Sequence, residues 1–373
     1  MLTLCALALA AAQDVPKTMT AAEAQPALDK ALEYLVATQE EDGSWSTSVN
    51  DDLLESGFSV ETYYCWQVSS NALAVMALIE AEETPERRAA LEKGLRWLCT
   101  TREPKRGSDW DSDFIWPALY GTVACVQAAR DPRFSTAEWH ELVETGGRMY
   151  IGILERNQVP TGGWAYYDDP IYSRRPKWGT SFCTALILPS IQNALEMKWI
   201  EDEAILERAH EYVARCALPN GAYEYDLNPI PRISGGEHIN RTKGSLGRIQ
   251  VCNWGRRAVG DKKITDDRLR EGLDSFFTHH RFLDVARMRP IPHEAYYANA
   301  GYFYMFGHYY AAEAINLLEP DEREAWHAKL RPHVIKTQRS DGSTSDFLKS
   351  RNQLTACTAY LALTLQLGMP DEP

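Results

Sequence analysis

Two stretches at opposite ends of the chain share one pattern. Residues 27–45 read ALDKALEYLVATQEEDGSW, and residues 329–344 read KLRPHVIKTQRSDGST. Each stretch contains Thr-Gln, then two charged or polar residues, and then Asp-Gly-Ser. In the first stretch Ala27, Ala31 and Leu35 recur at helical spacing, which predicts an amphipathic helix. Both stretches therefore predict the same unit, a helix followed by a tight turn.

This unit recurs at intervals of about 60 residues, and such self-similarity indicates a repeat architecture. The matching loops carry Gly43, Gly107, Gly163, Gly221 and Gly342. Successive gaps are 64, 56, 58 and 121 residues. The last gap is twice the period, which predicts a degenerate fifth unit near residue 282. A left-handed glycine can close each helix. The glutamine before the loop can bond to the neighbouring repeat, and the Trp or Tyr after it can fold back onto the helix.

A second class of helix follows each loop. Its predicted members are residues 71–79, 115–129, 180–195, 245–259, 302–318 and 354–367. Most are apolar nearly all round, and such helices must be covered on every side. The alternation therefore predicts an all-α fold of six helical hairpins with an outer and an inner layer. Closure into a ring is favoured over an open superhelix, because an open array leaves one face of the apolar layer wet.

Helix starts are predicted from capping signals. Thr20–Glu23 and Ser135–Glu138 match the capping box, and the second is flanked by Phe134 and Trp139 as a hydrophobic staple. Thr84 before a proline is another helix start.

Composition and charge exclude some classes of function. The net charge is −13, whereas a nucleic-acid-binding protein needs a basic face. No uninterrupted apolar run reaches the length of a transmembrane helix. The cysteines beyond Cys5 number seven, and no CxxC occurs, which argues against a disulfide framework or a zinc ribbon.

The N-terminal residues MLTLCALALAAA (1–12) are apolar and end in small side chains. They match the hydrophobic core and cleavage site of a signal peptide, although a basic n-region is missing. We therefore expect an exported, periplasmic or secreted protein whose residues 13–373 form a single domain of six repeats. A buried N-terminal helix is the alternative interpretation.

The string Gln39–Gly43–Trp45 resembles the QW motif of squalene–hopene and oxidosqualene cyclases, with weaker copies at Gln338–Gly342 and Gly163–Trp164. The same alternation of helices resembles the repeats of protein prenyltransferase β subunits and of the exported prenyltransferase/squalene-oxidase-repeat proteins of bacteria. The resemblance implies an α/α toroid with an aromatic-rich central cavity.

The resemblance also implies where an acid would lie. Class II terpenoid cyclases protonate an alkene with an aspartic acid from a DxDD motif. Asp109, Asp111 and Asp113 lie at the start of the second inner helix, but Phe114 stands where the fourth aspartate belongs. The three aspartates are the candidate catalytic residues. The alternatives are an acidic helix cap and a calcium loop, which Phe114 disfavours at the position of the turn glycine.

The candidate ligand-binding residues are aromatic or cationic and lie on or beside the inner helices: Trp116, Tyr120, Trp178, Arg248, Trp254, His293, Tyr304 and His308. Simple aromatic packing is an alternative for the Tyr and His residues. Arg248 and Arg256 could instead pair with Glu313 or an aspartate. No metal or cofactor is predicted. The last inner helix lacks the histidine with which prenyltransferases hold zinc, and the chain lacks the Cys-His dipeptide of the zinc cluster in lanthionine-cyclase toroids.

The functional prediction is a toroid that binds a small or elongated ligand in its cavity, with isoprenoids among the candidate ligands and catalysis left open. A non-enzymatic binding or scaffold protein is one alternative, and its protein partner is unknown. A carbohydrate-active (α/α)6 enzyme is another, since Asp168, Asp169 and Glu294 supply further carboxylates.

Overall fold

A computed structural model describes residues 17–106, 111–166, 177–227 and 238–370. Within these ranges the outer helices are α1 (Ala21–Ala37), α3 (Pro85–Thr100), α5 (Ala137–Asn157), α7 (Ala204–Arg215), α9 (Asp266–Thr278) and α12 (Pro320–Ile335). The inner helices are α2 (Val60–Ile79), α4 (Trp116–Arg130), α6 (Ser181–Glu196), α8 (Leu246–Ala258), α11 (Phe303–Ile315) and α13 (Arg351–Gln366). A short helix, α10 (Arg281–Ala286), occupies the degenerate fifth loop.

The inner helices form a closed ring. Each contacts the next one along the chain, and α13 contacts α2. Helices α2 and α11 are buried around nearly their whole circumference, whereas α1 buries only the face that carries Ala24, Leu28 and Leu35. The all-α toroid of alternating outer and inner helices is therefore confirmed.

A glutamine at the end of three outer helices ties its repeat to the next outer helix. The bonds from the side-chain amide to a backbone carbonyl join Gln39 to Ala90 (2.8 Å), Gln158 to Ile205 (3.0 Å) and Gln338 to Ala27 (2.8 Å). The last bond connects the final repeat to the first helix. The predicted contact with the neighbouring repeat is confirmed, and it also closes the ring.

Glycines in the same turns have positive φ angles: +93° at Gly43, +103° at Gly162 and +88° at Gly342. The prediction was wrong at Gly163, because the left-handed residue is the fourth after the glutamine and Gly162 holds that place. Each of these glycines lies against the backbone of the next outer helix. A Cβ on Gly342 would lie 2.1 Å from the carbonyl oxygen of Lys30. Gly107 lies outside the described residues.

The tryptophan after two of these turns folds back as predicted. The Trp45 indole donates to the carbonyl of Leu35 at 2.6 Å, and the Trp164 indole donates to the carbonyl of Leu154 at 2.8 Å. Both rings are fully buried. The turns are therefore anchored to the helices that precede them.

The helix starts at Thr20 and Thr84 are confirmed, and Thr20 forms a complete capping box with Glu23. The prediction at Ser135 was wrong, because a 3-10 turn over Pro132–Phe134 ends at Ser135 and the next residue, Thr136, caps α5. The predicted contact between Phe134 and Trp139 is present, since their rings lie 4.9 Å apart.

Two predictions from composition hold for the described ranges. No helix there is long and apolar enough to cross a membrane. The seven cysteines that follow Cys5 are all buried and free. The segment predicted as a signal peptide lies outside the described residues.

Candidate functional site

The ring encloses a cavity of about 500 Å³. Much of its wall is aromatic: Phe58, Trp66, Trp116, Tyr120, Tyr166, Phe182, Tyr302, Phe303, Phe306, Phe347 and Tyr360. Several of these residues lie in the first turns of α4, α6 and α11, because consecutive hairpins point the starts of the inner helices to the same side of the ring. The Trp116 ring is nearly parallel to those of Tyr120 and Tyr166, at 5.9 and 6.3 Å between centroids.

Asp113 places a carboxyl group on this wall. It precedes α4 with a φ of +62°, a conformation that aspartate tolerates better than most residues. Its backbone N–H donates to the carbonyl of Tyr166 at 2.8 Å, which fixes the turn. The indoles of Trp66 and Trp116 donate to its two carboxylate oxygens at 2.9 and 3.0 Å. The carboxyl group is therefore held in one orientation at the cavity.

Burial sets the acidity of Asp113. It raises the pKa to about 6, while the bonds from Trp66 and Trp116 act in the opposite direction. Burial favours the neutral acid, and the two indoles stabilise the anion that remains when the proton leaves. Such a group can hold a proton near neutral pH and release it in a defined direction.

Asp346 brings a second carboxyl group to the cavity. It lies in the loop before α13, where its carboxylate accepts bonds from the Met305 N–H at 2.8 Å and the Cys357 thiol at 3.2 Å. Burial raises its pKa to about 6. Asp346 was not predicted from the sequence. Its signal was an acidic residue shortly after the Asp-Gly-Ser of the last repeat.

The three candidate aspartates have different positions. Asp111 is buried and accepts a bond from the hydroxyl of Ser59, which caps α2. Asp113 lines the cavity, and Asp109 lies outside the described residues. The cap interpretation is wrong for Asp113, since α4 begins after Ile115 without a side-chain cap bond. The two indole donors hold the Asp113 carboxylate at the cavity instead.

Three of the predicted ligand-binding residues, Trp116, Tyr120 and His293, line the cavity together with Asp113. His293 bonds to the Ala298 carbonyl and to the Tyr302 hydroxyl, both at 2.7 Å. Since a carbonyl can only accept, Nδ1 carries the proton and Nε2 accepts from the tyrosine.

The other candidates lie behind this wall. Trp178 packs edge-on against Tyr166, with 5.9 Å between ring centroids. Arg248, Trp254, Tyr304 and His308 are not among the residues that line the cavity. The proposed ion pair of an inner-helix arginine is present at Arg256, which contacts Asp261 at 2.7 Å.

The indole donors should lower the pKa of Asp113. Replacing Trp116 by phenylalanine removes one bond to the Asp113 carboxylate, so the pKa of Asp113 should rise by about one unit or more. Carboxyl ¹³C chemical shifts of labelled aspartate, followed against pH, measure this change. Trp178→Phe is the control, because it removes another indole beside the cavity, one whose ring packs against Tyr166. An equal shift in both variants would contradict the role of the indole.

Comparison with known proteins supports the fold without assigning a family. No family model and no curated protein matches the sequence. A variant of the type II terpene cyclase MstE from Scytonema, in complex with geranylgeranyl dihydroxybenzoate, is 12% identical; 93% of this chain and 98% of that chain are covered, with a TM-score of 0.52.

Two carbohydrate-active proteins are similar to the same extent. An inactive variant of the α-1,6-mannanase GH76A from Salegentibacter sp. HEL1_6, in complex with α-1,6-mannotetrose, is 12% identical, covers 92% of this chain and 99% of its own, and has a TM-score of 0.56. A possible GH105 member from Klebsiella pneumoniae is 10% identical, covers 94% of each chain, and also scores 0.56. These similarities support an α/α toroid, a fold that terpene cyclases and glycoside hydrolases share.

Proposed function

We propose that the cavity binds an elongated, mainly apolar and unsaturated ligand, and that Asp113 donates a proton to it. The observation that carries this proposal is the protonatable carboxyl group of Asp113, which two indoles hold within an aromatic wall. Aromatic faces stabilise a cation without offering a lone pair that would trap it. The arrangement suits acid-initiated cyclisation of an isoprenoid.

The reaction balances as an isomerisation. The Asp113 O–H bond breaks, the proton forms a C–H bond with one alkene carbon, and the π electrons of that alkene are used. The resulting carbocation is attacked by further alkenes within the same ligand, while Trp116 and Tyr166 present ring faces to the charge. Loss of a proton from the final cation ends the sequence and leaves the elemental composition unchanged.

The indoles of Trp66 and Trp116 can compensate for the aspartate that is missing from the DxDD-like motif. A strong carboxylic acid needs donors that stabilise its anion. Phe114 stands where a further aspartate would lie, and its side chain is buried. Trp66 and Trp116 donate to both oxygens of Asp113. We infer that these indoles provide the stabilisation that the missing carboxyl group would otherwise give.

A carbohydrate-active function is the second candidate, and Asp346 is the observation that favours it. Two carboxyl groups with raised pKa values line one cavity, and glycoside hydrolysis employs a pair of carboxyl groups. The parallel rings of Trp116 and Tyr166 could stack on a sugar. In this case Asp113 and Asp346 would divide the acid and base roles.

Ligand binding distinguishes the two classes. Quenching of tryptophan fluorescence is titrated with geranylgeranyl dihydroxybenzoate, geranylgeraniol and α-1,6-mannotetraose. We expect saturable binding of the isoprenoids, because apolar and aromatic side chains dominate the wall. Binding of mannotetraose alone would favour the second candidate. Failure of all three probes to bind would contradict a ligand of either kind.

A substitution that fills the cavity tests where the ligand binds. Ala356 lines the cavity, so Ala356→Phe should abolish isoprenoid binding. The matched control is Ala22→Phe on the exposed face of α1, which should bind as the wild type does. Circular dichroism checks that both variants are folded. Undiminished binding to the folded Ala356→Phe protein would place the ligand elsewhere.

A further inference from the structure

A cluster of histidines lies away from the cavity, between the inner helix α11 and the outer layer. His280 follows α9, Asp284 lies on α10, and His333 lies near the end of α12. One ligand atom of each lies within 4.8 Å of the other two. The sequence does not reveal this group, because only His280 and Asp284 stand at a helical spacing of four residues and His333 is far from both.

The hydrogen-bond directions in this cluster leave the contact between His280 and Asp284 without a proton. His308 Nδ1 lies 2.6 Å from the carbonyl of Tyr304, so this nitrogen must carry a proton. In a neutral His308 the other nitrogen, Nε2, is then an acceptor. His280 Nε2 lies 2.8 Å from it and must donate. A neutral His280 consequently turns the lone pair of its Nδ1 toward the Asp284 carboxylate, 3.1 Å away.

Two lone pairs cannot face each other at this distance without a positive group between them. A proton on His280 Nδ1 would resolve only that contact. It would leave His333 unexplained, since its Nδ1 is buried without a hydrogen-bond partner. The His333 ring stacks on His280 with 3.7 Å between centroids. A metal cation would engage all three side chains.

We propose that His280, Asp284 and His333 bind a divalent transition-metal ion, most suitably Zn²⁺. Two imidazole nitrogens and one carboxylate oxygen form a ligand set typical of zinc. Zinc bonds of about 2.0–2.1 Å in a tetrahedral arrangement need ligand atoms roughly 3.3 Å apart, so binding draws the three side chains together.

The surroundings provide the support that metal-binding histidines require. Such a histidine commonly donates its second ring N–H to an acceptor, which fixes its tautomer. His280 does so to His308, which in turn donates to the carbonyl of Tyr304.

The site is accessible from solvent and leaves a coordination position open. The Asp284 side chain is 38% exposed, whereas that of His280 is 4% exposed. A metal held by three protein ligands retains a position for water. The ammonium group of Lys336 contacts the other Asp284 oxygen at 2.7 Å. Its charge opposes binding, so Lys336→Gln should increase the affinity for zinc several-fold.

Zinc titration of the tag-free, EDTA-treated full chain tests the proposal, with a chromophoric chelator as competitor. We expect one Zn²⁺ per chain, and an affinity lower by about 100-fold or more in Asp284→Asn and in His333→Gln. His279→Gln is the matched control, since it removes a neighbouring histidine outside the cluster and should bind as the wild type does. Asp113→Asn should also bind zinc normally, which separates this site from the proposed function.

Two further measurements keep the test decisive. Circular dichroism establishes that each variant is folded, and Asp284→Asn is conservative and lies near the surface. Co²⁺ substitution should give visible d–d bands without thiolate charge transfer, which distinguishes the site from the buried cysteines. The absence of a one-to-one complex would overturn the proposal. Equal zinc affinity in the folded wild type, Asp284→Asn and His333→Gln would overturn it as well.

Discussion

Gly342→Ala should lower the free energy of unfolding by about 2–5 kcal/mol, a loss large enough to leave much of the protein unfolded. Two effects add. Alanine is strained at the φ of +88°, by about 1–2 kcal/mol. Its Cβ would also lie 2.1 Å from the backbone carbonyl oxygen of Lys30, so the last turn must move away from the first helix where the ring closes.

Guanidinium unfolding followed by circular dichroism measures this loss. The matched control is Gly57→Ala, because Gly57 has a similar φ of +105° but no atom within 4 Å of the added Cβ. This variant should lose only about 1 kcal/mol from backbone strain. Equal losses in the two variants would show that the contact across the closure contributes nothing.

Asp113→Asn should reduce turnover of an isoprenoid substrate by about 10²–10⁴-fold, the usual contribution of a general acid. Turnover by the wild type should be constant below pH 6 and fall about tenfold per pH unit above it, since only the protonated carboxyl group can donate. Asp346→Asn should retain cyclisation. If the wild type instead hydrolyses mannotetraose, and both Asp113→Asn and Asp346→Asn lose this activity, the result would indicate a glycosidase.

The stability of the wild type should also fall as the pH rises. The pKa of Asp113 is raised from 3.8 to about 6 by folding, so the folded state binds the proton more tightly. The wild type should then lose stability as the pH rises through this interval, relative to Asp113→Asn. The full shift corresponds to about 3 kcal/mol, and partial exposure reduces the expected difference to roughly 1–2 kcal/mol. Melting curves at pH 4 and pH 8 measure it, and a difference independent of pH would contradict the raised pKa.

The fold could be predicted because its signals are local and repeated. The glutamines, glycines and aromatic residues that recur in these turns have roles that depend on a few neighbouring residues. Even there, the sequence did not distinguish Gly162 from Gly163, since the choice depends on which glycine abuts the Arg208 carbonyl of the next helix.

The site could be predicted only in part, because it depends on distant residues meeting. Asp113 and Trp116 lie close in sequence, but Trp66 and Asp346 reach the cavity from other repeats. Tyr304 and His308 were expected at the cavity from their aromatic surroundings. Instead, Tyr304 contacts His333 of α12 and His308 contacts His280 in the outer layer. Because α11 is apolar nearly all round, its hydrophobic pattern does not reveal which face lines the ring.

Incubation with geranylgeranyl dihydroxybenzoate in D₂O tests the central claim most directly, with products analysed by mass spectrometry. If Asp113 initiates cyclisation, each cyclised product should carry one non-exchangeable deuterium at the carbon that receives the proton. Asp113→Asn should give at least about 100-fold less labelled product, whereas Trp178→Phe should give as much as the wild type does. Unlabelled cyclic product from the wild type, or no product although the compound binds, would contradict the role of Asp113 as the proton donor.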